Sequence, residues 1–214
     1  MKKNFLIFLV VVFALTFCGC GDKNNEVNHD HSHGHNHSDE NGQALNPDEI
    51  IKVYLDVRLY ENLLGEKFEF KLRDKDKENG FLTIEKHNDF TALYTIKRKD
   101  FNVFKEGLLL SRKSIFDDYY KNNDANSIKK VEYNSNITEI TVTVDRKVYN
   151  PKIFSRDKAY VRAYNTISGC GRNATLYHMY YLENVEKCTV TVMDLSGNLL
   201  ETRVFPDEIL EDIK

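Results

Sequence analysis

The sequence has no tryptophan, no excess of basic charge and none of the short signatures that mark familiar catalytic sites. It holds no GxxxxGK[ST] phosphate loop, no GxGxxG dinucleotide fingerprint, no HExxH, no GxSxG and no paired CxxC, so none of the chemistries those patterns carry is legible in it. With 30 basic and 33 acidic residues it offers no broad positive field, which argues against a nucleic acid as partner. Its one marked apolar run, residues 4–17, is too brief to make a stable membrane span. Cysteines number only four, and each has a separate reading below.

What is present begins at the N-terminus. Met1, Lys2 and Lys3 supply positive charge, the apolar run follows, and Phe17-Cys18-Gly19-Cys20 closes it. This resembles a bacterial lipobox, in which a small residue precedes the cysteine that receives diacylglycerol and becomes the new N-terminus. Cys20, behind Gly19, fits that role better than Cys18, behind the bulky Phe17. Phe17 itself departs from the leucine usual three residues before the acceptor. The expectation is a signal peptide over residues 1–19 and a lipid on Cys20. More than one acyl chain would then hold the protein firmly at the extracytoplasmic face of the cell membrane. The competing reading is an ordinary cleaved signal peptide with incidental cysteines. Losing Lys2 and Lys3 with the signal takes the formal charge from −3 to −5.

Residues 20–46 are polar and without periodicity, too poor in apolar surface to offset the entropy of ordering, and read as a disordered tether. Within it His29, His31, His33, His35 and His37 alternate, with Asp30, Asp39 and Glu40 close by. Imidazole is a ligand for Zn²⁺, Ni²⁺ and Cu²⁺, and a pliable strand can wrap several rings around one ion. The run is similar in composition to the His-rich loops of zinc transporters and zinc-binding solute receptors. Zn or Ni at the tether is therefore the one cofactor expected, and none is required by the rest of the chain. Binding at a site with no preformed geometry would be modest, poorly selective and weakened below about pH 6.5 as the imidazoles protonate. A solvated spacer is the plain alternative.

Residues 47–214 read as a single α+β domain. Asn46, Pro47, Asp48 and Glu49 resemble a helix start, and Ile50, Val53, Tyr54 and Val57 fall on one helical face. The same stretch alternates as Val53, Leu55, Val57 and Leu59, so a strand competes with the helix. Phe68, Phe70 and Leu72 alternate as a strand, and residues 73–80 read as an exposed turn. Strand pairs follow at 81–85 with 90–98, at 128–133 with 137–144, and at 187–193 with 199–205. Between the first two lies a helix from Asp100 with an apolar face of Phe101, Phe104, Leu108, Ile115 and Tyr119, ended by Asn122, Asn123 and Asp124. Residues 156–182 read as two helical pieces broken at Ser168-Gly169-Cys170-Gly171-Arg172. Tyr160, Val161, Tyr164 and Ile167 line the first piece, and Leu176, Met179, Tyr180 and Leu182 the second. The sum is an antiparallel sheet of strand pairs with helices on one face. Residues 84–91 and 131–138 share a pattern, which reads either as a duplicated ββα unit or as two hairpins with common turn chemistry.

A resemblance rests on the order of these parts. It runs from the Gly-Phe strand and Asn-Asp turn of residues 80–96, through an amphipathic helix, to Ile128-Lys129-Lys130-Val131-Glu132 and the strand 138–144. A Gly-containing helix and the V-x-V-x-D-x-x-G-N hairpin of residues 190–198 complete it. Together these look like a group of small lipoproteins of Gram-positive anaerobes, some described as antigen I/II N-terminal-like. The likeness covers residues 68–201 and leaves out the histidine run. It implies a secreted α+β module and carries no catalytic residues.

Cys170 and Cys188 remain. In an exported chain a leftover pair invites a disulfide, worth about 3 kcal/mol if formed, against the alternative of two buried thiols. A Cys170 nucleophile with His178 as base is a distant third reading, because eight residues of helix would separate the two by about 12 Å. The tyrosines at 119, 120, 177, 180 and 181 suit an interface or contact with carbohydrate or peptide, as well as a core. The function expected is a non-enzymatic binding or interaction module for an unidentified protein or envelope ligand. Metal capture is the alternative.

Overall fold

The computed structural model describes residues 45–121 and 127–211, and the described residues from Asn46 onward form one unit. The signal peptide, Cys20, the histidine run and the helix-ending Asn122, Asn123 and Asp124 lie outside the described residues. The class is α+β.

The first segment settles as a strand. β1 (Ile50–Asp56) buries Ile51, Val53 and Leu55 and exposes Ile50 and Lys52, the two-residue period of a pleated strand. Asn46 does cap, but it caps a turn: its side chain accepts from the Asp48 amide at 3.1 Å and its carbonyl from Glu49 at 3.2 Å. The helix expected here starts one strand later, because Asp56 is the true cap. Its carboxylate accepts from the amides of Arg58 and Leu59 and opens α1 (Val57–Leu64). Gly65, at φ 71°, closes that helix in the left-handed conformation.

Residues 66–72 are not a strand, contrary to their alternation. Phe68 turns back onto α1, where its ring meets Tyr60 at 5.0 Å and its amide donates to Glu61 at 3.0 Å. With no neighbouring strand to pair with, apolar alternation alone does not make a sheet. The charged run beyond it is a short helix, α2 (Asp74–Glu78), fixed by a two-pronged contact of Arg73 with Asp76.

Two four-stranded sheets follow instead of the single antiparallel one expected. In the first, β2 (Phe81–Asn88), β3 (Thr91–Lys97), β1 and β6 (Tyr180–Tyr181) lie in that order, all antiparallel. In the second, β4 (Ile128–Tyr133), β5 (Glu139–Val144), β7 (Cys188–Asp194) and β8 (Leu199–Phe205) lie side by side. There β5 and β7 run parallel, from Glu139 opposite Thr189 to Val144 opposite Asp194. A parallel pair needs a crossover, and α4 (Lys158–His178) supplies it. The three hairpins fall close to where the sequence puts them. Each sheet has a hairpin at one edge, followed in the chain by a long helix: α3 (Arg98–Lys121) after β3, and α4 after β5.

α4 is one unbroken helix across Gly169 and Gly171, and the reason is close packing. A β-carbon on Gly171 would stand 2.1 Å from the Phe205 ring of β8, and one on Gly169 would stand 2.6 Å from the Tyr119 hydroxyl of α3. The glycines let α4 lie against its neighbours rather than ending it. Its buried face is Tyr160, Ala163, Ile167, Cys170, Ala174, Thr175 and His178, while Val161 and Tyr164 point outward. On α3, Phe101 and Phe116 are buried and Phe104, Leu108 and Tyr119 pack at the edge of the core. Toward the end of that face Phe116 is fully buried where Ile115 is only half-buried, and Arg112 is buried as well. A short α5 (Asp207–Glu211) closes the described chain.

Candidate functional site

The open face of the first sheet carries the residues best placed for a ligand. β1 and β6 put Tyr54 directly opposite Tyr181, and their rings stack at 5.8 Å with 24° between planes. An irregularity in β2 between Lys86 and Asn88 leaves His87 outside the ladder register and on this outer side. Its imidazole meets Tyr54 edge-on at 5.3 Å. Asn88, Thr91, Leu182 and Glu183 complete a shallow cleft of about 330 Å³. Beside it Phe90 is 54% exposed, with the Arg58 guanidinium 4.8 Å above its ring and held there by Asp56.

The chemistry of this cleft is mixed. Two half-buried phenol rings and an imidazole supply flat apolar faces, and an amide, a hydroxyl and a carboxylate supply hydrogen bonds around them. Burial raises the Tyr181 hydroxyl above its ordinary pKa, with a hydrogen bond from Thr91 and the charge of Arg58 opposing. The phenol therefore stays protonated, a donor as well as an acceptor. None of the spacing in the sequence marks this site, because Tyr54, His87 and Tyr181 are far apart in the chain and meet only through strand register.

A second constellation sits behind the cleft wall. His178, the last residue of α4, is 3% exposed, and its Nδ1 lies 3.0 Å from Glu186 Oε2. Its Nε2 is buried and makes no well-aligned hydrogen bond. Lys105 of α3 donates to the Tyr177 carbonyl at 2.6 Å and the Tyr180 carbonyl at 3.3 Å, and its ammonium lies 3.6 Å over the Tyr177 ring. The ammonium so caps the negative end of α4. Burial pushes the Lys105 pKa down to about 8, with Glu186 opposing. Burial and the Lys105 charge hold His178 below the ordinary histidine range, against the pull of Glu186 and the Ile137 and Asn136 carbonyls. The sequence carries a visible sign of this cluster: a lysine on the apolar stripe of α3 at the four-residue step from Phe101.

The sequence-derived candidates divide sharply. Cys20 and His29, His31, His33, His35 and His37 lie outside the described residues. Cys170 and Cys188 are both buried and both free thiols, not a disulfide. Each packs as a small apolar side chain, one in α4 and one at the head of β7. Burial pushes Cys188 up to about 12 and Cys170 higher still, so neither is a ready thiolate. His178 is bound to Glu186 and does not serve Cys170. Among the described residues no group of three or more His, Cys, Asp and Glu side chains is arranged to hold a metal. No helix among them is long and apolar enough to cross a membrane. Comparison of the chain with protein-family models, with curated proteins and with solved structures found no match.

Proposed function

We propose that this chain is a lipid-anchored, non-enzymatic binding module at the extracytoplasmic face of the cell membrane, and that its α+β domain takes a saccharide ring in the Tyr54–Tyr181 cleft. The observation that carries the reading is the stacked pair of tyrosine rings on an uncovered sheet face, edged by His87, Asn88, Thr91 and Glu183. A sugar presents an apolar C–H face to such rings and hydroxyls to the amide, hydroxyl and carboxylate at the rim. The lipobox-like Phe17-Cys18-Gly19-Cys20 supports the location, where envelope glycans are at hand. The test is calorimetry of the soluble chain, residues 21–214, against a panel of soluble mono- and oligosaccharides, with Tyr54→Ala and Tyr181→Ala beside it. At least one saccharide should bind, and either substitution should weaken it about tenfold or more. The reading fails if no saccharide binds at millimolar concentration, or if both variants bind as the parent does.

A second reading rests on the alternating His29, His31, His33, His35 and His37, which make the tether a collector of Zn²⁺ or Ni²⁺ held near the membrane. It is compatible with the first, since the run and the cleft are separate segments of the chain.

A further inference from the structure

The connector from β5 to α4, residues 145–157, leaves two large apolar side chains next to each other in water. Ile153 is 62% exposed and Phe154 77% exposed. Single exposed apolar residues are ordinary on a protein surface. This pair is set apart by how it is held and by the charge around it.

The pair is presented by ordered chain. Tyr149, just before it, is fully buried, stacks on Tyr160 of α4 at 5.2 Å and donates its hydroxyl to Glu201. A turn at Pro151 follows, in which the Asn150 side chain accepts from the Lys152 amide at 3.0 Å and the Asn150 carbonyl from the Ile153 amide at 3.1 Å. Beyond Phe154, the Ser155 hydroxyl accepts from the Asp157 amide at 3.1 Å, and Asp157 caps α4 by accepting from the Ala159 amide at 2.8 Å. The Phe154 ring meets that of Tyr160 edge-on at 6.0 Å.

The charge is one-sided. Residues 146–162 hold six basic residues and one acidic one, in a chain with 30 basic and 33 acidic residues. The acid is Asp157, whose carboxylate is occupied by the cap. Lys147, Lys152, Arg156 and Lys158 are exposed, and no acidic side chain among the described residues pairs with them. The acids behind the connector are engaged elsewhere. Asp145 accepts from the Lys147 amide at 2.9 Å, and Asp194 accepts from the Ser196 and Asn198 amides and lies 3.9 Å from Arg146.

Adjacent apolar side chains flanked by unpaired cations fit a lipid surface with anionic headgroups better than a protein partner. A stable protein interface buries on the order of 1,000 Å² or more, which two side chains in a connector do not supply. A bilayer asks less. Apolar side chains enter the boundary between headgroups and acyl chains, while Lys and Arg lay their stems along it and keep their charges at the phosphates.

We propose that this connector is a membrane-docking finger: Ile153 and Phe154 insert into the headgroup–acyl boundary of an anionic bilayer, and Lys147, Lys152, Arg156 and Lys158 engage the phosphates around them. The contact belongs to the folded unit, needs no lipid on Cys20 and is separate from the Tyr54–Tyr181 cleft. The test exploits the lack of tryptophan in the chain. Phe154→Trp in the soluble chain, residues 21–214, puts the single indole on the finger, and Val103→Trp, at a 70% exposed position of α3, is the control. With vesicles of equal parts phosphatidylglycerol and phosphatidylcholine, the first indole should shift its emission to the blue and be quenched by lipids brominated near the headgroup. The control should do neither. Vesicles of phosphatidylcholine alone should bind about tenfold or more weakly, and high salt should erase that difference. Flotation of the otherwise unaltered chain with the anionic vesicles should fall about tenfold or more in Phe154→Ser, and likewise in Lys152→Glu with Arg156→Glu; all three positions are exposed, so the fold stays. No shift with anionic vesicles, or flotation unchanged in either set of variants, overturns the finger. So does a shift produced by soluble glycerophosphoglycerol alone, which would mark an anion site without insertion. A shift that grows with protein concentration in the absence of vesicles overturns it too, since the occupant would then be a second copy of the chain.

Discussion

Gly171 shows how much a single hydrogen atom can decide. Its α-carbon packs against Phe205 so closely that alanine would drive a methyl group into the ring. Gly171→Ala should destabilise the fold by about 3 kcal/mol or more, the cost of overpacking where a rigid ring and a helix backbone must separate. Gly107, in the middle of α3, has nothing within 4 Å of where a β-carbon would stand. There the same substitution should stabilise by about 0.5–1 kcal/mol, through helix propensity and a less disordered unfolded chain. Urea unfolding of the two variants reads both signs, and similar effects in the two would refute the packing account of α4. Lys105 gives a second test at this scale. Its folded pKa of about 8 lies below the unfolded value of 10.5, so between those limits the unfolded chain binds more protons and stability rises with pH. The advantage of wild type over Lys105→Met should therefore grow by about 1 kcal/mol per pH unit from pH 8 to 10. Comparing the two proteins cancels the tyrosines and thiols they share. A gap that stays flat over that interval would show that the ammonium is well hydrated.

Among the elements, those with local instructions were legible and those without were not. The hairpins at β2–β3, β4–β5 and β7–β8 are marked by alternation on both sides of polar turns, and α3 by its three-and-four spacing. β1 carries both periods at once, and only its position between β3 and β6 resolves the conflict. The residues at Asn46 looked like a helix cap because turns and helix starts use the same side-chain chemistry. α4 was divided at Gly169 and Gly171 because a glycine needed for close approach looks, in sequence, like a glycine that ends a helix. The parallel pairing of β5 with β7 has no local signature, and neither does the cleft, which depends on the β1–β6 pairing that brings Tyr181 beside Tyr54. Cys188 alternates with Val190 and Val192 and is buried with them, and the sequence leaves its bond to Cys170 open. With both thiols free and buried, the soluble chain should show no rapid reaction with a thiol reagent when folded. Two thiols should then react in denaturant without reductant, and none reacting there would establish the disulfide instead.

Over the whole molecule, three segments of different composition are joined end to end: an apolar N-terminal run closed by a lipobox-like sequence, a polar run rich in histidine, and a folded α+β unit. If Cys20 carries the lipid, Cys20→Ala should leave the protein in the soluble fraction, and continued lipid labelling would move the acceptor to Cys18. With a lipid on Cys20, the random-coil estimate for the 26 residues 21–46 would keep anything they bind within about 30 Å of the membrane. The described residues offer no three-ligand cluster, so any metal the chain takes up should be lost with the histidine run. Titrating Zn²⁺ and Ni²⁺ into residues 21–214, and into the same chain lacking residues 28–38, separates the possibilities. Uptake by the first and not the second places the site in the run, and it should fade as the pH falls below about 6.5, where imidazoles take up protons instead of metal. Equal uptake by both would move the site into the folded unit, and no uptake by either would end the metal reading. Deleting the run should leave the unfolding midpoint of the domain unchanged, because a stretch so poor in apolar side chains has little surface to bury.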